Sequence, residues 1–203
     1  MEFLAGWDLV SLIKTAGYAG LFVIVFAESG LFIGFFLPGD SLLFTAGFLA
    51  SQGFLNVWPL ALLMFLAAIL GDNFGYSFGK KVGPAIFSCE DSWLFHRDHL
   101  ERARIFYERH GAKTLVLARF LPIVRTFAPI LAGVGRMHYP TFFFYNILGA
   151  ALWALGITWL GYFLGATIPG VDKYLIPIIL VIIVVSILPT LIHILRNRNY
   201  AQK

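Results

Sequence analysis

The 203-residue chain is 59% apolar and 17% aromatic, carries only 13% charged residues and has a mean hydropathy of +0.81, which excludes a soluble domain of this size. Its formal net charge of +4, which in a soluble protein would suggest nucleic acid, reads here as the positive-inside bias of an integral membrane protein. A single cysteine, Cys89, rules out an internal disulfide, and no His or Cys cluster has metal-ligand spacing, so neither metal nor other cofactor is expected.

Apolar runs at about 9–27, 57–79, 139–165 and 174–195 each hold roughly 20 residues, enough for about 30 Å of hydrocarbon at 1.5 Å per residue. They predict four spanning helices in one all-α membrane domain covering 1–203. The first run follows Glu2 and Asp8 and lacks a small-residue cleavage site, so it is expected to stay in the mature protein.

After it comes ESGLFIGFFLPGDSLLFTAGFLA. Pro38 and Gly39 divide it into halves of about ten residues, each only half a bilayer long as helix, so 28–50 is expected to be a re-entrant hairpin. Glu28 opens the segment and Asp40 follows the Pro-Gly tip. The next run, 57–79, carries Asp72 toward its expected cytoplasmic end, and Gly71, Gly75 and Gly79 at four-residue spacing, a pattern for close helix packing. Residues 80–113 are expected on the cytoplasmic side, with an amphipathic helix over 90–113 whose basic residues face lipid phosphates or solvent. Then TLVLARFLPIVRTFAPILAG, residues 114–133, places Arg119 and Arg125 in an apolar segment with Pro122 and Pro129. Proline removes a helical hydrogen bond and clashes with the preceding turn, so breaks at both prolines and a second re-entrant hairpin are expected.

The halves resemble each other. Laid without gaps, Ala46-Gly47 falls on Ala132-Gly133 and GYSFG at 75–79 falls on GYFLG at 161–165. One full crossing separates the two hairpins, so the repeat is inverted, an arrangement in which broken helices meet near the midplane. This topology puts Lys14, Lys80, Lys81, Arg136, the basic residues of 97–113 and those of the C-terminal tail on one side, leaving Lys173 alone on the other. The rich side is then cytoplasmic, and both termini lie there.

A charged side chain near the bilayer centre costs about 2.5–3.5 kcal/mol on insertion scales, so Glu28, Asp40, Arg119 and Arg125 need a reason. Ion pairing among themselves is one, and Asp40 capping the helix that follows is another. A substrate pathway accounts for all four: guanidinium is a rigid fork matched to phosphate and stays charged, whereas desolvation disfavours the charged form of a carboxylate, making Glu28 and Asp40 candidates for proton coupling or gating. Asp72 divides evenly between helix–helix hydrogen bonding and a role in the same cavity.

Taken together, ESGLFIGFFLPGDSLLFTAG, GDNFGYSFGKKVG and ARFLPIVRTFAPILAGVGRM resemble the bacterial DedA family, within the wider group that includes VTT-domain lipid scramblases. The resemblance implies a bacterial cytoplasmic-membrane protein moving lipids between leaflets: undecaprenyl phosphate, or phosphatidylethanolamine, with protons as partners. It places the family's essential acids on Glu28 and Asp40 and its essential arginines on Arg119 and Arg125. The reading is a lipid translocase and not an enzyme. A lipid-phosphate enzyme would need a nucleophile and a positioned base, and neither hairpin contains His. A proton-coupled antiporter of small ions or drugs would explain the acids but leave the arginines without a task.

Overall fold

A computed structural model describes residues 9–31, 37–88 and 111–167, and among these every regular element is helical. The first helix, α1 (Leu9–Gly30), is kinked at Gly17, whose φ of 57° and ψ of −160° are open to glycine but costly for any residue with a Cβ. The expected span over 9–27 is therefore not one straight rod; the apolar stretch is Thr15–Gly30, about 24 Å at helical rise. Tyr18, next to the kink, accepts a 2.7 Å hydrogen bond from the Asn56 N–H, which ties α1 to the turn after α2 (Gly39–Ser51).

Two helices are long and apolar enough to cross a membrane among the described residues: Val57–Gly83 and Tyr139–Thr167. The first belongs to α3 (Val57–Ser88), which continues past the expected limit at residue 79, so that Asp72 sits near mid-helix rather than toward one end. Over the stretch expected to form the second hairpin, α4 (Thr114–Ala118) and α5 (Pro122–Val134) are joined by a turn at 119–121. Leu121 is extended, as a residue before proline prefers, and Pro122 starts the helix where no N–H is needed. Pro129, expected to break the chain, lies inside α5; the helix runs through it, as membrane helices tolerate when neighbours compensate. The last described segment is α6 (Tyr139–Ala150), a π-helical turn (Ala151–Leu155) and α7 (Gly156–Thr167) in sequence. The expected span over 174–195 and most of the amphipathic segment 90–113 lie outside the described residues.

The broadest interfaces join α2 to α7 and α3 to α5, and small residues make both possible. A Cβ on Gly47 would strike the Thr158 carbonyl, and one on Gly161 would strike that of Phe44. In the other interface Gly133 meets the Tyr76 carbonyl and Gly79 that of Ile130. Each pair is reciprocal, and in every helix the glycine follows the residue whose carbonyl is approached by three positions, nearly one turn. The gapless alignment of the halves equates Gly47 with Gly133, as this geometry does, but it equates Gly79 with Gly165. The structure gives the counterpart role to Gly161, one turn earlier, because backbone approach is fixed by which glycine meets a carbonyl and not by matching letters; Gly165 faces the Ser51 side chain instead. Of the α3 stripe, Gly71 meets Gly30 of α1 while Gly75 and Gly79 serve α5.

The surface is inverted relative to a soluble protein. Leu62, Leu66, Leu70, Phe74 and Phe78 form an exposed apolar stripe along α3, while Glu28, Asp72, Arg119 and Arg125 are all buried. An apolar exterior on this scale needs a nonaqueous environment, and charges inside it must be paired.

Candidate functional site

Five separate stretches deliver charge to one interior cluster, α3 among them through Asp72. The last turn of α1 carries Glu28 with no exposed surface. The start of α2 comes so close to it that a Cβ on Gly39 would fall within the Glu28 carboxylate, which explains the glycine of the Pro-Gly pair sterically. Asp40 stands in the first turn of α2, favourable for an acid at the positive helix end. It does not act as an N-cap, the structural alternative weighed from sequence: that position is Pro38, without a side-chain cap. The first turn of α5 supplies Arg125, and the turn before it supplies Arg119.

Arg125 ties the first two acids together. Its Nη1 donates to Asp40 Oδ1 at 2.8 Å and its Nη2 donates to Glu28 Oε1. Arg119 goes elsewhere: its Nη2 donates to Asp72 Oδ2 at 2.5 Å and to Asn146 Oδ1 at 2.6 Å. The amide of Asn146 in turn donates to the Ile69 carbonyl at 3.1 Å, fixing its orientation. The four residues singled out by sequence are thus divided between two ion-pair groups, and Asp72 joins them as a full member. Pro122 acts in the backbone, setting the start of the helix that carries Arg125.

Trp153 connects the groups. Its indole N–H donates to Asp40 Oδ1 at 2.7 Å. Its ring centroid lies 4.6 Å from the guanidinium carbon of Arg125 and 5.9 Å from that of Arg119, within cation–π range of both. Trp153 occupies the middle of the π-helical turn, a local widening that recurs at functional sites. Sequence reading missed both Trp153 and Asn146. Asn146 left a signal, as the one amide in the apolar run 139–165; a tryptophan in a membrane helix gave none.

The cluster holds three carboxylates and two guanidiniums, so when all are ionised it carries one net negative charge. Four of its buried polar atoms have no protein hydrogen-bond partner among the described residues: Glu28 Oε2, Asp72 Oδ1, Arg119 Nη1 and Arg125 Nε. Leaving such atoms unmatched costs about 1–3 kcal/mol each, more for charged groups, and native interiors keep few of them without reason. Among the described residues no group of three His, Cys, Asp or Glu side chains is placed to hold a metal ion.

Comparison with known proteins gives a consistent picture. The VTT domain profile matches residues 37–163. Protein DedA of Escherichia coli K12 is 52% identical over 188 residues, covering 92% of this chain and 85% of that protein. An uncharacterized membrane protein of Mycobacterium leprae is 46% identical over 170 residues, with 84% and 76% covered. The inner membrane protein YqjA of E. coli K12 is 37% identical over 175 residues, with 85% and 76% covered. No solved structure matches.

Proposed function

This chain belongs to the DedA family of VTT-domain membrane proteins, and we propose that it is a lipid translocase of the bacterial inner membrane that carries a phosphate headgroup on Arg119 and Arg125. The observation carrying this reading is the pair of buried guanidiniums, each held by acids yet keeping an unmatched N–H. Carboxylates occupy the positions a phosphate would take, since both anions accept from the same planar fork. The described arrangement is then the closed state, in which acids occupy both arginines.

Protonation of Glu28 removes one of the two negative charges on Arg125 and brings the cluster to neutrality. Arg125 is then freer to take a phosphate, and loss of that proton returns it to Glu28. Headgroup and Glu28 carboxylate thereby compete for one guanidinium, so a proton on Glu28 favours the headgroup on Arg125 and couples their movements. Two re-entrant hairpins in an inverted repeat, 28–50 and 114–133, meeting near the midplane, complete the proposal. The reciprocal glycine interfaces support it, as does the short apolar stretch Thr15–Gly30. Undecaprenyl phosphate, a phosphomonoester with its tail in lipid, is the substrate we favour, and both termini are placed in the cytoplasm.

Leaflet exchange of labelled undecaprenyl phosphate in proteoliposomes tests this, with phosphatidylethanolamine as comparator. Exchange of the polyprenyl phosphate alone supports a selective translocase; exchange of both supports a broad scramblase. In Glu28→Gln, exchange should persist while losing its dependence on pH, and an unchanged pH profile would remove Glu28 as the proton carrier. The net negative charge favours one rival, a proton-coupled cation antiporter. Gradient-driven cation flux without lipid exchange would establish that instead.

A further inference from the structure

Where α3 passes the turn between α5 and α6, a cavity of about 490 Å³ is lined by Tyr76, Lys80, Arg136, His138 and Tyr139. Its wall is rigid: the Tyr76 hydroxyl donates to the Met137 carbonyl at 2.6 Å, and its ring stacks on Phe142 at 4.4 Å. Tyr139 donates to Asn73 Oδ1 at 2.9 Å. Lys80 and Arg136 are exposed at the rim and form no ion pair with a carboxylate among the described residues.

Arg136 is held there at a cost. Its φ of 51° makes it the one non-glycine residue with positive φ among those described. The helix α5 ends in a Schellman motif, with Arg136 N–H bonded to the Gly133 carbonyl at 3.0 Å and Met137 N–H to that of Ala132 at 2.9 Å. In that motif the left-handed place is ordinarily glycine, and another residue gives up about 1–2 kcal/mol.

The same chain contains its own comparison. Helix α2 ends in the same motif, with Gly53 N–H on Ala50 and Phe54 N–H on Leu49, each at 3.1 Å, and there the left-handed residue is Gly53 with φ +81°. That turn also borders a cavity of about 490 Å³, lined by Tyr18, Phe54, Asn56, Trp58 and Tyr162, and among the described residues no cation lines it. Two similar turns beside two similar cavities therefore differ in charge: one takes the unstrained glycine, and the other keeps a strained arginine beside Lys80 and His138.

We propose that the cavity bounded by Lys80, Arg136 and His138 is a second phosphate site, binding the phosphomonoester headgroup of a lipid at the membrane surface. Its purpose rests on the translocase reading, in which it receives or presents the headgroup at one end of the path, but binding there requires no transport. Arg136 and Lys80 supply two charge-assisted contacts, and the tyrosines supply an interfacial wall.

The test is thermal unfolding of the detergent-solubilised full chain during titration with phosphatidic acid, phosphatidylcholine or inorganic phosphate. Phosphatidic acid should raise the melting temperature. Arg136→Gly and Lys80→Gln should each weaken its apparent affinity about tenfold, and the double variant should lose the response. Because glycine suits the left-handed turn, Arg136→Gly should melt no lower than wild type without lipid, which separates lost binding from lost folding. An unchanged response in the double variant overturns the proposal, as does an equal response to phosphatidylcholine. A full response to inorganic phosphate would overturn the lipid assignment in favour of free phosphate. Arg136-dependent binding by protein that exchanges no lipid would support this site while removing the translocase reading.

Discussion

The indole of Trp153 donates to Asp40 at 2.7 Å while its ring lies 4.6 Å from the guanidinium carbon of Arg125, so one side chain grips both members of an ion pair. Trp153→Phe keeps the ring and removes the N–H. It should lower stability by about 1.5–3 kcal/mol, the range for a hydrogen bond to a charged group. Trp153→Ala also removes the ring and should cost about 3–5 kcal/mol. Thermal unfolding in detergent ranks the two, and equal losses would mean that the ring face contributes nothing.

Arg119 and Asp72 should behave as one unit. Asp72→Asn leaves a buried guanidinium uncompensated, a loss of about 3–5 kcal/mol. The double variant Asp72→Asn/Arg119→Gln removes both charges and should be less damaged than the sum of the single losses. A double-mutant cycle measures this, and additivity within about 0.5 kcal/mol would show no coupling.

Geometry and charge separate at Arg125. Arg125→Lys keeps the charge but has no planar fork to reach Glu28 and Asp40 together. Insertion into the membrane should be normal, with lipid exchange reduced at least about tenfold, a change equivalent to about 1.4 kcal/mol. Full exchange by this variant would reduce the requirement to charge alone.

Two glycines should respond in opposite directions to the same substitution. Gly39→Ala drives a methyl group into the Glu28 carboxylate and should separate α1 from α2, with loss of exchange and about 1–3 kcal/mol of stability. Gly156→Ala meets nothing within 4 Å in a helix and should gain about 0.5–1 kcal/mol. Melting curves of the two variants in the same detergent provide the check.

The register of the two glycine interfaces is testable in the same way. Gly79→Ala and Gly161→Ala each press a methyl group onto a backbone carbonyl, which cannot move aside cheaply, and should lose about 1–3 kcal/mol alike. Gly165→Ala meets the Ser51 hydroxyl, a side chain able to rotate, and should lose less. A larger loss at Gly165 than at Gly161 would restore the gapless pairing of the halves.

By itself the sequence determined that the protein is an all-helical membrane protein and which residues are out of place in it. Hydropathy over 57–79 and 139–165 is a sum over neighbours, and the helical spans follow from it. The cost of a charge in hydrocarbon is likewise local, so Glu28, Asp40, Arg119 and Arg125 announced themselves without knowledge of any contact. Family motifs could be read for the same reason, because they lie in short contiguous stretches.

Only the tertiary structure decided who meets whom. The partners of the cluster lie 27 to 113 positions apart in the chain, and their meeting depends on helix rotation, on the break before Pro122 and on the π-helical turn that carries Trp153. Asp72 could have bonded a neighbouring helix or joined the charges until α3 was placed against Arg119. Gly161 and Gly165 are equivalent as letters, and only the approach of the Phe44 carbonyl distinguishes them. A sequence records the penalty for leaving a group unpaired; the packing of helices against one another selects the group that removes it.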